Sequence, residues 1–516
     1  MARSDWRPTP AGERRVVNPP AAATGLAALS RRDFVLLAVL GCVLLVLRYC
    51  IAEVGGFDLH FDEAQYWEWS QRLDWSYYSK GPLVAWLIAL STALFGHGEW
   101  QVRLFAWLGY DVFLILLFCF AHQFWRCRRA GWWAVALGLT TPLYFSLGEV
   151  MTTDVFLFVC WTWALWAAWR ALYREQATAW YELGAAVGVG GLAKFSIGLL
   201  PVFLGLGLIM FQTGRRALLR WPPWGGVLLA LLILSPTLFW NAGHGWVMFR
   251  HEQGHLLGVA EASGWPENLR NFLEFLGGQG LVLSPLVAVV LFRTLGRPPR
   301  LAEPRLLWGL SLAVLAFFLV KATVSKVQLN WPAPAYIGLL VLFAGRIDAL
   351  APGWRRLTLI GMVSSIGLLI VAFFPTLVGL PLAKAPFKEL RLWQEPIETV
   401  ARQAGSVGFL MVPSYHLAGG VAFYWPQRLS VYPVAESRRF SQHDFWPGIE
   451  REAEGSAGVY VTTGDQLPSQ VREAFASCQP LPPVSARAAD GSLRRMLYSW
   501  RCEGYRPTAW PKPTTY

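Results

Sequence analysis

DLHFDEAQYWEWSQRLDWSYYSKGP, residues 58–82, follows directly on the first long apolar run of a 516-residue chain. It opens with adjacent carboxylates, Asp62 and Glu63, and closes with Lys80 before a Gly-Pro step. Acids and a lysine beside a bilayer are costly unless they are solvated, paired or used. The flanking chain leaves little doubt about the bilayer. It is 54% hydrophobic with 15% charged residues, whereas a soluble protein carries about 25%. Its mean hydropathy is +0.37. Apolar runs of about 17–25 residues suffice to cross a hydrocarbon core of about 30 Å, and such spans must be helices because lipid satisfies no backbone polar group. Spans are expected near 34–51, 102–121, 131–147, 155–172, 180–194, 196–212, 225–241, 270–292, 305–321, 331–345 and 357–379, about eleven in all. The pair 180–194 and 196–212 could instead be one helix broken around Gly190, Gly191 and Lys194.

Arginine sets the orientation. Arg14, Arg15, Arg31 and Arg32 precede the first span, and alternate loops carry Arg126, Arg128 and Arg129, then Arg170 and Arg174, Arg215, Arg216 and Arg220, Arg293, Arg297 and Arg300, and Arg346, Arg355 and Arg356. The positive-inside rule makes these cytoplasmic, so an odd number of spans leaves the tail outside. No cleavable leader is evident. The net charge of +12 is spread over short loops and forms no single patch, which argues against nucleic acid. Lysine follows the opposite pattern: Lys80, Lys194, Lys321, Lys326, Lys384, Lys388 and Lys512 all fall on the outer side. They are either chance placements in an Arg-rich chain or point charges held for a phosphate. Cys478 and Cys502 lie in the tail, where an oxidising compartment would let them pair.

Three regions result: a Pro-, Ala- and Arg-rich cytoplasmic arm, 1–33, expected to be disordered; an all-α membrane domain, 34–380; and a small soluble α/β domain, 381–516. In the last, strands are expected at 407–412, 429–434 and 458–463, with helix at 415–425 and before Cys478. The long first outer loop, 52–101, should hold an amphipathic helix over 63–72. A second helix should start at Gly81-Pro82, too short to be a span.

With these segments in order, the chain resembles a known family. DEAQYWEWSQRLDWSYYSKGPLVAWLIALSTALFG with EWQVRLFAWL, then MTTDVFLF (151–158), GLAKFSIGLLP (191–201), SPTLFWNAGHGWVMFRHEQGH (235–255), FLGGQGLVLSP (275–285) and KVQLNWPAPAYI (326–337) resemble the membrane glycosyltransferases of the GT-C fold. The narrower likeness is to family 39 and to the aminoarabinose transferases that modify lipid A. It covers roughly residues 34–345. The resemblance implies a polyprenyl-phosphate sugar donor, a glycolipid or glycan acceptor and work at the outer face of a bacterial inner membrane. The chain has no Walker A or dinucleotide fingerprint, which suits a donor that carries its own activation.

Transfer from a lipid phosphate needs a carboxylate to take the acceptor's proton and cations for the departing phosphate. The resemblance implies Asp62 as base, with Glu63 beside it and Asp154 as a second acid; capping of the following helices is the structural alternative for Asp62 and Asp154. It implies Lys80 for the phosphate, in Lys-Gly-Pro where relatives often show Lys-Pro-Pro; the alternative is a snorkelling surface lysine. Arg250 and Lys326 are further phosphate candidates. Tyr66, Lys194, His251, His255, Asn330 and Trp331 are expected to line the substrate. No cofactor is required, although Asp62, Glu63 and Asp154 could hold a divalent cation through oxygen ligands. Trp67, Trp69 and Trp75 are either sugar platforms or part of an interfacial belt. The competing functions are protein O-glycosylation on the same fold and a flippase for lipid-linked sugars. A flippase would need ionisable residues near mid-bilayer and an inverted repeat, whereas the ionisable residues here gather at one face.

Overall fold

A computed structural model describes residues 29–257, 265–380, 390–435, 438–450, 455–487 and 493–508, with Phe387, Gly491, Trp510 and Pro513 besides. Most of the expected arm, and Lys384, Lys388 and Lys512, lie outside the described residues.

Among the described residues, six helices are long and apolar enough to cross a membrane: α1 (Arg31–Gly55) and, numbering all helices in chain order, α4 (Glu99–Trp125), α7 (Thr153–Tyr173), α11 (Trp221–Gly243), α15 (Ala302–Ala322) and α17 (Pro352–Phe373). A bent pair, α13 (Trp265–Leu283) and α14 (Pro285–Leu295), makes a seventh if counted as one span. The chain is therefore a multi-pass membrane protein. The other expected spans are shorter or interrupted. The 131–147 run divides into α5 (Arg128–Thr140) and α6 (Pro142–Glu149). The 180–194 and 196–212 runs are α8 (Thr178–Ala193) and α9 (Leu199–Met210), parted where Lys194 turns extended. The 331–345 run is α16 (Ala333–Ala344), buried along its whole length, so it need not match the thickness of lipid.

Proline explains two of the breaks. It lacks an N–H and pushes the residue before it out of the helical region. Thr141 is extended before Pro142. Ser284 takes φ 76° before Pro285, and the helices on either side meet at 97°.

The long loop after α1 forms α2 (Phe61–Ser70) and α3 (Leu83–Phe95). Loop and tail meet. The tail is a six-stranded mixed sheet in the order β2-β1-β3-β6-β4, with β5 paired to β6. β1 (Phe409–Val412) lies parallel to β2 (Ser430–Pro433) and β3 (Gly458–Thr462). β6 (Leu493–Tyr505) runs antiparallel to β3, β4 (Phe475–Pro480) and β5 (Val484–Arg487). Cys478 and Cys502 are partners in the β4/β6 register and are disulfide-bonded. Only Ser469–Glu473 is helical ahead of Cys478; the cysteine itself is in a strand.

Of the tail's helices, α19 (Tyr415–Tyr424) packs on α2, and α18 (Gln394–Ala404) packs on β5 and β6. Gly419 of α19 lies so close to α2 that a Cβ there would stand 2.5 Å from the carbonyl carbon of Ala64. The Tyr424 hydroxyl accepts from the Leu59 N–H at 2.7 Å and donates to Glu99. Buried apolar residues run without a gap from the helical bundle through α2 into the tail.

Candidate active site

The start of α2 sets the geometry. His60, extended, caps the helix: its Nδ1 accepts from the Asp62 N–H at 3.2 Å, while the Glu63 carboxylate accepts from the His60 N–H at 2.9 Å. This reciprocal cap satisfies two of the helix's orphan donors. His60, and not Asp62, is therefore the cap residue. Asp62 and Glu63 diverge by about 100° around the helix axis.

Glu63 points inward. Its two oxygens meet Arg103 Nε and Nη2 at 3.0 Å each, and Oε1 also accepts from the Met151 N–H at 2.8 Å. Arg103 in turn donates to the carbonyls of Phe57 and Asp58. Both side chains are essentially fully buried. Glu63 thus joins α2, α4 and the turn before α7, and is turned away from Asp62.

Asp62 faces the other way, one helical turn from Tyr66. Its side chain keeps 40% of its surface, yet it lies in a recess. Burial there raises its pKa above the ordinary carboxylate range, against the pull of His60, Lys80 and His416. Three elements bring charge to this recess. Asp154 follows Thr152, the cap of α7, and holds Lys194 Nζ at 2.9 Å and Asn330 Nδ2 at 3.2 Å. Lys80 holds Glu252 of α12 (Val247–Leu257) at 2.6 Å. Burial works against the Lys80 charge, but Glu252, then Asp62 and Asp154, outweigh it and raise its pKa. Burial likewise works against ionised Glu252, but Lys80, with His251 and Lys194, depresses its pKa. The Tyr66 hydroxyl, buried and facing Asp62, Asp154 and Glu252, is held protonated far above its usual value. Of the three carboxylates only Asp62 lacks a lysine ion pair among the described residues.

Gly81 explains the position of Lys80. A Cβ at Gly81 would stand 2.1 Å from the Leu192 carbonyl oxygen, so glycine lets the loop touch the end of α8, two residues from Lys194. The far side of the loop is fixed by α11 and α12. Thr237 donates to the Trp75 carbonyl at 2.8 Å, Asn241 to Ser76 Oγ at 3.2 Å, and His251 Nδ1 lies 3.0 Å from the Tyr78 hydroxyl.

Glu252, Arg103, His60 and the tail's His416 were not singled out from the sequence. Glu252 sits between His251 and His255, which were; a lone acid in a basic run was the available signal. His416 lies in electrostatic reach of Asp62 and edge-on to Phe61; nothing in the tail's sequence pointed to it. Arg250 and Lys326 are exposed and form no ion pair with the group among the described residues. Trp331 stands 6.2 Å from Phe318. The His255 side chain lies outside the described residues. Trp67 and Trp69 are buried, Trp69 stacked on Tyr77 at 4.6 Å, so neither is part of an interfacial belt; Trp75 is exposed. Nor do the acids gather round a cation. Arg103 takes Glu63, while Lys194 and Asn330 take Asp154, and among the described residues no three His, Cys, Asp or Glu are placed to hold a metal.

Beside Lys194, α8, α9 and α11 enclose an apolar cavity of about 500 Å³ lined by Leu183, Val187, Phe195, Leu204 and Leu234 among others.

Residues 79–240 match the family described as dolichyl-phosphate-mannose-protein mannosyltransferase. Over 359 residues, 68% of this chain and 74% of the relative, the chain is 30% identical to the lipid A galacturonosyltransferase RgtD of Rhizobium johnstonii. The chain belongs to the GT-C family of membrane glycosyltransferases. This transferase is also 30% identical over 211 residues to the undecaprenyl phosphate-alpha-4-amino-4-deoxy-L-arabinose arabinosyl transferase of Pectobacterium carotovorum, 38% of each chain. The fold is that of ArnT from Cupriavidus metallidurans in its crystal structure bound to undecaprenyl phosphate. The TM-score is 0.64 at 17% identity, over 92% of this chain and 98% of that one.

Proposed function

We propose that this transferase moves one sugar from a polyprenyl-phosphate carrier to a lipid A-type glycolipid at the periplasmic face of the bacterial inner membrane. The observation that carries the reading is the division of charge in the recess: Asp62 without a lysine ion pair among the described residues, beside Lys80 and Lys194, each held by a carboxylate. The acceptor hydroxyl gives its proton to Asp62 as its oxygen bonds to the anomeric carbon. The bond from that carbon to the phosphate oxygen breaks, its electron pair leaving with the carrier phosphate, and the configuration inverts. Lys80 meets the charge that builds on this phosphate, a favourable use of a cation where water is scarce. Asp154, which also accepts from Asn330, holds Lys194 at the same rim. The apolar cavity beside Lys194 suits the first isoprenoid units of the carrier.

Sidedness is supported by the arginine-rich loops, which the positive-inside rule assigns to the cytoplasm, and by the tail disulfide, which fits an oxidising compartment. The carrier brings the activation, so the reading needs no resident cofactor, and it assigns charge neutralisation to the lysines rather than a divalent ion. The test is transfer in membranes supplied with a panel of polyprenyl-phosphate sugars. Wild type should consume one of them and Asp62→Asn should not. Full activity in Asp62→Asn would remove Asp62 as the base; no consumption by wild type would remove the reaction.

A further inference from the structure

A second cavity opens at the other end of α2, between that helix and the tail. Its volume is about 180 Å³, below the roughly 300 Å³ at which pockets take drug-sized ligands, so it suits a single sugar ring. Trp67 and Glu68 line it from α2, and His443 and Trp446 from the tail. Trp67 and Glu68 are each more than nine-tenths buried. Glu68 Oε2 lies 3.3 Å from His443 Nε2 in an ion pair. Glu68 Oε2 has no partner beyond this ion pair, and Trp67 Nε1 has no acceptor among the described residues. Buried polar atoms are nearly always satisfied, so an unpaired buried donor in the wall of this cavity stands out.

The mouth is cationic. Arg72 and Arg428 are exposed there. The Arg72 guanidinium lies over the Trp446 ring, 4.7 Å from its centroid, which limits its freedom before any ligand arrives. Guanidinium groups bind carboxylate and phosphate through paired N–H donors. A ligand fitting the whole cavity has a hydroxyl for the Glu68–His443 pair and an acidic group for the arginines.

We propose that this cavity binds an acidic monosaccharide unit of the acceptor glycolipid, one bearing a carboxylate or a phosphate. Glu68 lies six residues from Asp62, about 9 Å along the helix axis and on another face of it. The ring held here is therefore not the ring that receives the transferred sugar. Both sites share α2, so occupancy of one fixes the acceptor's register at the other. The proposal rests on the transfer reading above, but its test does not need turnover.

Full-length protein in detergent is titrated with glucuronate, glucose 1-phosphate and, as a neutral control, glucose, with binding read by ligand-observed NMR and calorimetry. At least one acidic sugar should bind saturably and glucose should not; the uronate and phosphate arms tell which acid is preferred. Arg72→Ala/Arg428→Ala alters only exposed residues and should weaken binding about tenfold, a change of 1.4 kcal/mol. Glu68→Gln should weaken it with the arginines intact. In the transfer assay the double variant should raise the acceptor KM and leave kcat unchanged. Wild type that binds neither acid, or a double variant that binds as wild type does, overturns the proposal. Wild type that binds an acidic sugar but transfers nothing leaves the cavity standing and removes the transfer reading alone.

Discussion

Replacing Glu63 separates a structural role from a catalytic one. Glu63→Gln keeps the shape and one carbonyl oxygen, but withdraws the charge that faces Arg103 at two 3.0 Å contacts. Arg103 is 2% exposed, and its next carboxylate, Glu99, is 3.7 Å away. Breaking one side of a buried pair costs about 3–5 kcal/mol, because the remaining charge stays desolvated. Retained contacts to Glu99 and to the Phe57 and Asp58 carbonyls place Glu63→Gln at the lower end, about 3 kcal/mol. Arg103→Ala should cost as much or more, since Glu63 would then be the stranded charge. The double variant Glu63→Gln/Arg103→Met should be less destabilised than the sum of its parts, with a coupling of about 1–3 kcal/mol. The assay is thermal unfolding of detergent-solubilised protein for the four members of the cycle, with transfer measured per folded molecule. A Glu63→Gln protein with wild-type melting and no transfer would refute the structural role and assign Glu63 to the chemistry.

Other outcomes follow from the same recess. Asp62 must be ionised to take a proton, and its pKa is raised; the acid limb of the kcat/KM profile should therefore fall at a higher pH than an ordinary carboxylate would give, and an acid limb near pH 4 would contradict this. Lys80→Met should raise the donor KM and lower kcat, whereas Glu252→Gln, which removes the carboxylate competing for Lys80, should tighten donor binding; weaker binding in Glu252→Gln would mean that Glu252 positions the lysine instead. Gly419→Ala would set a Cβ 2.5 Å from the Ala64 backbone, so tail and loop must part: the prediction is a lower melting temperature and faster proteolysis within 390–508, checked by limited digestion.

The residues legible in advance were those whose neighbours in sequence are also neighbours in space. Asp62, Lys80 and Asp154 sit at helix starts or loop ends, where charge has reason to collect, and lie around one recess. The sequence could not reveal which of two adjacent acids faces inward, because that depends on Arg103, forty residues on. Glu252 stands 172 residues from Lys80, and no periodicity links positions so far apart. Span counting from apolar length treated α16 as a crossing, because length alone does not distinguish lipid from protein as the surrounding medium. The prolines at 142 and 285 did carry that information: each marks a place where the run stops being one helix.

The contact between α2 and the tail has a consequence for biosynthesis. Leu59 and Tyr424 are 365 residues apart. At roughly 5–20 residues per second, a ribosome needs about 20–70 seconds to make the chain between them. During that interval α2 has emerged without the surface that later covers Trp67 and Ala64. A nascent chain of this kind invites guarding until the tail arrives, and one that stalls before residue 415 would present a lasting apolar tag for proteolysis.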